Sequence, residues 1–289
     1  MSRIVIQGRW LTTALVQDIA RLAGAARIVQ RDTGAGLVSG TWWCEDMPAP
    51  PNAAVRTRMY AVAGAVYVDV NFIDHPKALS DFRLAVFDMD STLITIECID
   101  EIADMLGLKP QVAAITEAAM RGEIAYPESL RQRVALLKGL DVSALERVYT
   151  GRLRLSPGAE TLLAAFKAAG LNILLVSGGF TFFTDKLKAR LGLDFTHANV
   201  LGIEAGKLNG TVTGHIVDAD EKARMLVETC QRIGCTPEQT IAFGDGANDL
   251  KMMAVAGLSV AYRAKPVVRA QAMTALNHNG LDAALQFFD

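Results

Sequence analysis

The chain has 289 residues, 51% apolar and 21% charged, with a formal net charge of −2. That balance suits about two globular domains with well-filled cores, and the lack of basic blocks argues against general nucleic-acid or membrane-surface binding. The longest nearly apolar stretch, 61–73, is interrupted by Asp69 and Asn71 and falls short of the ~20 apolar residues that span a membrane.

Met1–Trp10 has no basic start followed by a long apolar block, so no secretory signal is expected. Cys44, Cys98, Cys230 and Cys235 show neither CxxC spacing nor a neighbouring histidine cluster. That speaks against a disulfide framework or a zinc site and suits a reducing cytoplasm.

In chain order, residues 1–80 predict a strand (Arg3–Gln7), a helix (Leu11–Leu22), two strands (Ala26–Gln30, Leu37–Trp43), a helix (Ala53–Ala63) and a strand (Ala65–Phe72). Asp32-Thr33-Gly34-Ala35-Gly36 is rich in turn formers, and the proline-rich run Met47–Asn52 interrupts the module mid-way. The βαββαβ order is ferredoxin-like and resembles an ACT-type regulatory module. A boundary is expected at His75–Asp81, dividing 1–80 from 81–289, so a chain beginning near Pro76 should keep its chemistry. Dimerisation, ligand sensing and passive packing all remain open for the leading module.

From Leu84 onward apolar β-branched runs alternate with amphipathic helical patterns, which reads as an α/β fold with a doubly wound parallel sheet. Leu84–Phe87, Ile173–Val176 and Thr240–Phe243 each end in a polar cluster, where open α/β sheets bind ligands. The mostly helical stretch between the first two strands, about 97–156, is too long for a simple crossover and predicts a helical cap. Gly206 and Asn209-Gly210 within Gly202–Val217 signal a hairpin.

The polar clusters fit one another chemically. Asp88 and Asp90 lie two residues apart at a strand end; one carboxylate can attack phosphorus and the other can carry the proton. Thr92 is placed to hold Asp90 by a hydrogen bond. Asp245 and Asp249 bring more negative charge to the same edge, and one uncompensated pair at ~4 Å costs about 4 kcal/mol at an effective dielectric of ~20. The cluster therefore calls for Lys222 and an oxygen-bound divalent ion, Mg²⁺. Ser177 and the Gly178 N–H offer donors for phosphate oxygens at a helix N-terminus. Singly, Asp-x-Asp-x-Thr is a turn, Gly-Asp-Gly a loop, Lys222 a solvated helix residue and Asp249 a helix-start acid; their joint order at strand ends favours an enzyme.

Leu84–Leu93, Val176–Phe180 and Phe243–Asp249 resemble the motifs of the haloacid-dehalogenase-like phosphatases, and the resemblance covers about 83–289. It implies Asp88 as nucleophile and Asp90 as general acid and base. It also implies Mg²⁺ on the Asp88 carboxylate, the Asp90 backbone carbonyl and Asp245. Phosphate would lie on Ser177, Gly178 and Lys222, with Asn248 and Asp249 supporting. The implied substrate is O-phosphoserine, and a homodimer through the leading module is compatible with it.

The cap must then read an ammonium and a carboxylate. Glu97 suits the ammonium, or is only a helix-start acid. Arg131 and Arg133 point to opposite sides of a helix, so at most one enters the pocket; spacing cannot choose, and the family resemblance picks Arg133 for the carboxylate. Tyr126 would flank that pocket. Two rival readings are a related phosphatase acting on another phosphomonoester and an amino-acid-sensing protein with a vestigial core; intact Asp88, Asp90, Lys222 and Asp245 argue against the second.

Overall fold

The computed structural model describes residues 2–8, 11–31, 40–47 and 51–289. The leading part runs β1 (Ser2–Gln7), α1 (Thr13–Ala23), β2 (Arg27–Arg31), β3 (Thr41–Glu45), α2 (Ala53–Gly64) and β4 (Asp69–Asp74). These strands form one antiparallel sheet in the order β2-β3-β1-β4, the ferredoxin-like arrangement. Thr12 and Asn52 start the two helices by accepting from the Leu15 and Val55 N–H groups. Alternation along β1 sends Ile4 and Ile6 into a small core with Val16, Ile19 and Met59. The turn expected at 32–36, the start of the strand expected at 37–43, and Pro48 and Pro50 lie outside the described residues.

One boundary differs from the sequence reading. The strand expected over Ala65–Phe72 begins only at Asp69, because α2 continues to Gly64 and the chain then turns through Tyr67 at φ +56°.

The second part opens with β5 (Leu84–Phe87). Helices α3 (Cys98–Asp104), α4 (Lys109–Met120), α5 (Tyr126–Ala135) and α6 (Ser143–Gly151) occupy the stretch where the sequence predicts a cap, followed by α7 (Ala159–Ala168). Then come β6 (Asn172–Phe180), α8 (Thr181–Leu191), the hairpin β7 (Phe195–Glu204) and β8 (Lys207–Thr213), and α9 (Ala219–Ile233). The chain ends with β9 (Thr240–Gly244), α10 (Leu250–Val255), β10 (Leu258–Tyr262), α11 (Pro266–Gln271), β11 (Thr274–Leu276) and a 3₁₀ segment, Leu281–Phe287. The hairpin turns at Ala205-Gly206, both at positive φ, and not at Asn209-Gly210.

The second sheet has the order β11-β10-β9-β5-β6-β7-β8 and is parallel except for β8. The chain passes from β5 to β6, β7 and β8 on one side and returns through β9 on the other, so its direction switches between β5 and β9. Ala85 and Phe87 face one core and Leu84 and Val86 the other, which is why β5 is apolar throughout. Phe87 and Phe243, each just ahead of a polar loop, stack at 4.5 Å and 6°. That stack fixes the two loops relative to each other.

The two sheets are bonded together. Asp69 accepts from the Asn277, His278 and Asn279 N–H groups at 2.8, 3.2 and 3.1 Å, and from Asn279 Nδ2 at 2.8 Å. Asn71 accepts from Ala275 N at 2.6 Å and donates to Ala275 O at 3.0 Å. Val5, Trp43 and Ile73 share an apolar cluster with Phe82 and Phe288. The passage at 75–81 thus joins two layers that share buried contacts.

Candidate active site

Asp88 continues the β5 ladder by one bond, its N–H donating to Phe243 O at 3.0 Å. The chain then makes a wide turn in which Leu93 N and Ile94 N donate to Asp88 O and Met89 O, five residues back. Ser91 takes a left-handed conformation (φ +58°) that non-glycine residues seldom adopt. The turn presents both Asp88 and Asp90 to one cavity of about 690 Å³. Asp90 is held by the Cys98 N–H at 3.2 Å. The sequence reading gave Thr92 the task of holding Asp90; instead its hydroxyl donates to Asp245 Oδ1 at 3.3 Å, because the turn carries Thr92 toward the β9 loop.

Lys222, wholly buried on α9, donates to Asp88 Oδ1 at 2.5 Å and to Asp249 Oδ1 at 2.6 Å. The other Asp249 oxygen accepts from Asp245 N and Gly246 N at 3.1 and 3.0 Å. Asp249 does stand at a helix start, but its carboxylate clamps the loop that presents Asp245. A Cβ on Gly244 would lie 2.5 Å from that of Asp249, so the clamp needs glycine there.

Ser177, Gly178 and Asn248 line the same cavity. The strand does not stop at Ser177: β6 runs on to Phe180, with a register shift against β7 between Ser177 and Phe180. Ser177 Oγ accepts from Gly179 N at 2.8 Å, so this side of the cavity is framed by a bulge ahead of α8.

On the cap side, Glu97 stands at the N-cap, directly before α3, yet its carboxylate caps no helix N–H. It accepts from Ser91 Oγ at 2.6 Å and faces the cavity. Arg133 also lines the cavity, its Nε donating to Ser129 O, whereas Arg131 is exposed and 3.9 Å from Glu128. The phase of α5 thus turns Arg133, and not Arg131, toward the cavity. The Tyr126 hydroxyl donates to Gly178 O at 3.3 Å, and burial pushes its pKa up to about 12.

A family model for haloacid dehalogenase-like hydrolases matches residues 82–257. The chain belongs to this family. The hydrolase is 60% identical over 222 residues to the phosphoserine phosphatase of Polaromonas sp. (strain JS666), covering 75% of this chain and 94% of that one. It is 58% identical over 218 residues to the phosphoserine phosphatase of Albidiferax ferrireducens, covering 74% and 92%. Among solved structures, it superposes on a haloacid dehalogenase family hydrolase of Salmonella enterica serovar Typhi with a TM-score of 0.88 at 32% identity, over 100% of this chain and 98% of the other. A probable phosphoserine phosphatase from Vibrio cholerae gives 0.80 at 38% identity, over 99% and 86%.

Electrostatics explain what this hydrolase's site lacks in charge balance. Burial, then the Asp249 charge, lifts the Asp88 carboxyl well above its ordinary range, with Lys222 pulling the other way. Burial and Glu97 raise Asp90 to about 7, and burial with Asp249 raises Asp245 to about 7. Burial works against a charge on Lys222, but Asp249 and Asp88 outweigh it and hold the ammonium above the usual lysine range. Carboxylate oxygens of Asp88, Asp245 and Asp249 lie within 4.8 Å of one another. Both Asp249 oxygens are already bonded, which leaves Asp88 and Asp245 as the acids with capacity to spare. Such an all-oxygen, crowded donor set fits a hard divalent cation.

Sequence reasoning missed Lys265. It lines the cavity from the start of α11, and its N–H donates to Asp245 O at 3.1 Å. Pro266 signals a helix start, but nothing in Ala264-Lys265-Pro266 signals a return to the β9 loop.

Proposed function

We propose that this hydrolase is a Mg²⁺-dependent phosphoserine phosphatase, converting O-phosphoserine to serine and phosphate at the close of serine biosynthesis. The observation that carries the reading is a single cavity joining Asp88 and Asp90 to Glu97 and Arg133. Relatives named as phosphoserine phosphatases, at 60% and 58% identity over three-quarters of the chain, support it.

Asp88 attacks phosphorus, the bond from phosphorus to the serine oxygen breaks, and Asp90 gives its proton to the departing oxygen. A carboxyl with a pKa of about 7 is suited to that donation near neutrality. Water then attacks the aspartyl-phosphate, Asp90 takes its proton, and phosphate leaves with Asp88 restored. Lys222 orients Asp88 and faces the phosphoryl charge; Ser177 Oγ, the Gly178 N–H and Asn248 hold phosphoryl oxygens. Mg²⁺, held by the Asp88 carboxylate, the Asp90 carbonyl and Asp245, would add positive charge beside the phosphoryl group. Arg133 offers a planar fork to the substrate carboxylate and Glu97 an acceptor to its ammonium.

We place the reaction in the cytoplasm, where four unpaired thiols stay reduced, and assign any homodimer to the N-terminal sheet, in which β2 is an edge strand. Phosphate release measured with Mg²⁺ on phosphoserine, phosphothreonine and phosphoglycolate, with and without EDTA, tests the reading. Phosphoserine should be preferred and EDTA should stop turnover. Preference for phosphoglycolate would overturn the substrate, and no release from any of the three would overturn the activity.

A further inference from the structure

Three of the groups assigned to phosphate come from two separate elements: Ser177 and Gly178 from the β6 bulge, Lys222 from α9. Asn199 connects them. It sits on β7 opposite Phe180, where the register shift leaves Gly178 and Gly179 without partner residues. Its side chain is buried at 1% exposure. Nδ2 donates to Gly178 O at 2.7 Å, and Oδ1 accepts from Val217 N at 2.9 Å.

Each end of that amide meets the opposite polarity, so turning it over would set donor against donor and acceptor against acceptor. Its orientation is therefore fixed by its partners. On one side, Gly178 O takes a second bond from the Tyr126 hydroxyl, while Gly179 N is held by Ser177 Oγ. The peptide joining Gly178 to Gly179 is thus pinned at both its oxygen and its N–H. On the other side, Val217 directly precedes Asp218. Asp218 caps α9 by accepting from Glu221 N through its side chain at 2.9 Å, and its carbonyl accepts from Lys222 N at 3.0 Å.

We infer that Asn199 is a positioning residue, a strut that sets the spacing between the two halves of the phosphate grip. The inference rests on the phosphatase reading above, in that Ser177, Gly178 and Lys222 are taken to hold phosphate. Among the described residues no hydrogen bond joins Asn199 to Glu97 or Arg133, on the carboxylate side of the pocket. Phosphate binding should therefore depend on Asn199 and amino-acid binding should not.

The test is titration calorimetry of inorganic phosphate, and separately of serine, into Mg²⁺-loaded wild type, Asn199→Asp and Tyr126→Phe. Asn199→Asp keeps the shape but replaces the donor with an oxygen facing Gly178 O. Its phosphate affinity should fall by about tenfold or more, while serine affinity stays within about twofold. Tyr126→Phe removes only the longer bond to the same carbonyl and should weaken phosphate by about threefold or less. Equal loss for phosphate and serine, or unchanged phosphate affinity in a folded Asn199→Asp, overturns the strut. Should Asn199→Asp not fold, Asn199→Ser is judged by the same comparison. If neither folds, Asn199 serves stability and the strut is overturned. Wild type that hydrolyses p-nitrophenyl phosphate but not O-phosphoserine would sink the substrate reading alone, and the phosphate affinities would then decide the strut.

Discussion

Asp249 and Asp69 are both buried aspartates that organise a turn through backbone N–H groups. Asp249 gathers the Asp245 and Gly246 N–H groups beside the cavity, and Asp69 gathers those of Asn277, His278 and Asn279 between the two sheets. Their remaining partners differ. Asp249 also bonds Lys222, which bonds Asp88, so its charge is wired to the carboxylate proposed as the nucleophile. Asp69 has only neutral amide donors, and no ion pair among the described residues includes it. One device, a buried carboxylate satisfied by several donors, is tied through a cation to the proposed nucleophile in one place and holds two sheets together in the other.

The largest expected effect marks the chemical side of that contrast. Asp88→Asn should abolish turnover, since an amide is too poor a nucleophile to form the phosphoenzyme. Appreciable phosphoserine hydrolysis by this variant would remove the reacting end of the Lys222 link. Next come the two anchors themselves. Asp249→Ala should lower kcat by about 100-fold or more, since it both strands Lys222 and frees the Asp245 loop. Asp69→Ala should cost about 3 kcal/mol or more of stability for the N–H groups left buried, with kcat of the folded fraction nearly unchanged. Thermal melts and kcat measured side by side break the comparison if both variants lose the same quantity.

Two smaller effects sharpen it. Arg133→Ala should cost roughly 2–5 kcal/mol in kcat/KM on phosphoserine, because the substrate carboxylate is left unpaired, and far less on p-nitrophenyl phosphate. Arg131→Ala is the control, and a larger loss there would mean that the other helix face reads the substrate. The last effect concerns pH. Asp90 with a pKa of about 7 carries its proton below that value and loses it above, so the acid form needed by the first step declines as pH rises through 7. The rate of serine release should fall on that alkaline limb, and Asp90→Asn should lack the limb; a limb that survives the substitution would assign the proton to another group.

The candidate edge was legible because Asp88, Asp90, Ser177, Asp245 and Asp249 closely follow apolar strand runs, and a parallel sheet sets such strand ends side by side. Lys222, on α9, was legible only as the cation those acids call for. The choice between Arg131 and Arg133 needed the phase of α5 relative to the cavity, which spacing does not set. Thr92 was assigned the wrong partner because a turn closed by five-residue bonds redirects its side chain. Asn199 and Lys265 act on loops far from them in the chain, and Asp69 bonds Asn279 across 210 positions. Local pattern carries no trace of such contacts. For the same reason 75–81 reads as a division between modules, whereas the bonds of Asp69 and Asn71 predict that a chain beginning near Pro76 loses folded yield before it loses any catalytic group.

Asn71 has a consequence beyond attachment. β11 is the last strand of the larger sheet and only three residues long, and the Asn71 amide engages both the N–H and the carbonyl of its central residue, Ala275. A side chain thereby imitates the next strand and ends the ladder. An open strand edge is a template on which a second molecule can pair, so the N-terminal sheet doubles as a guard against polymerisation at the β11 margin of the larger sheet.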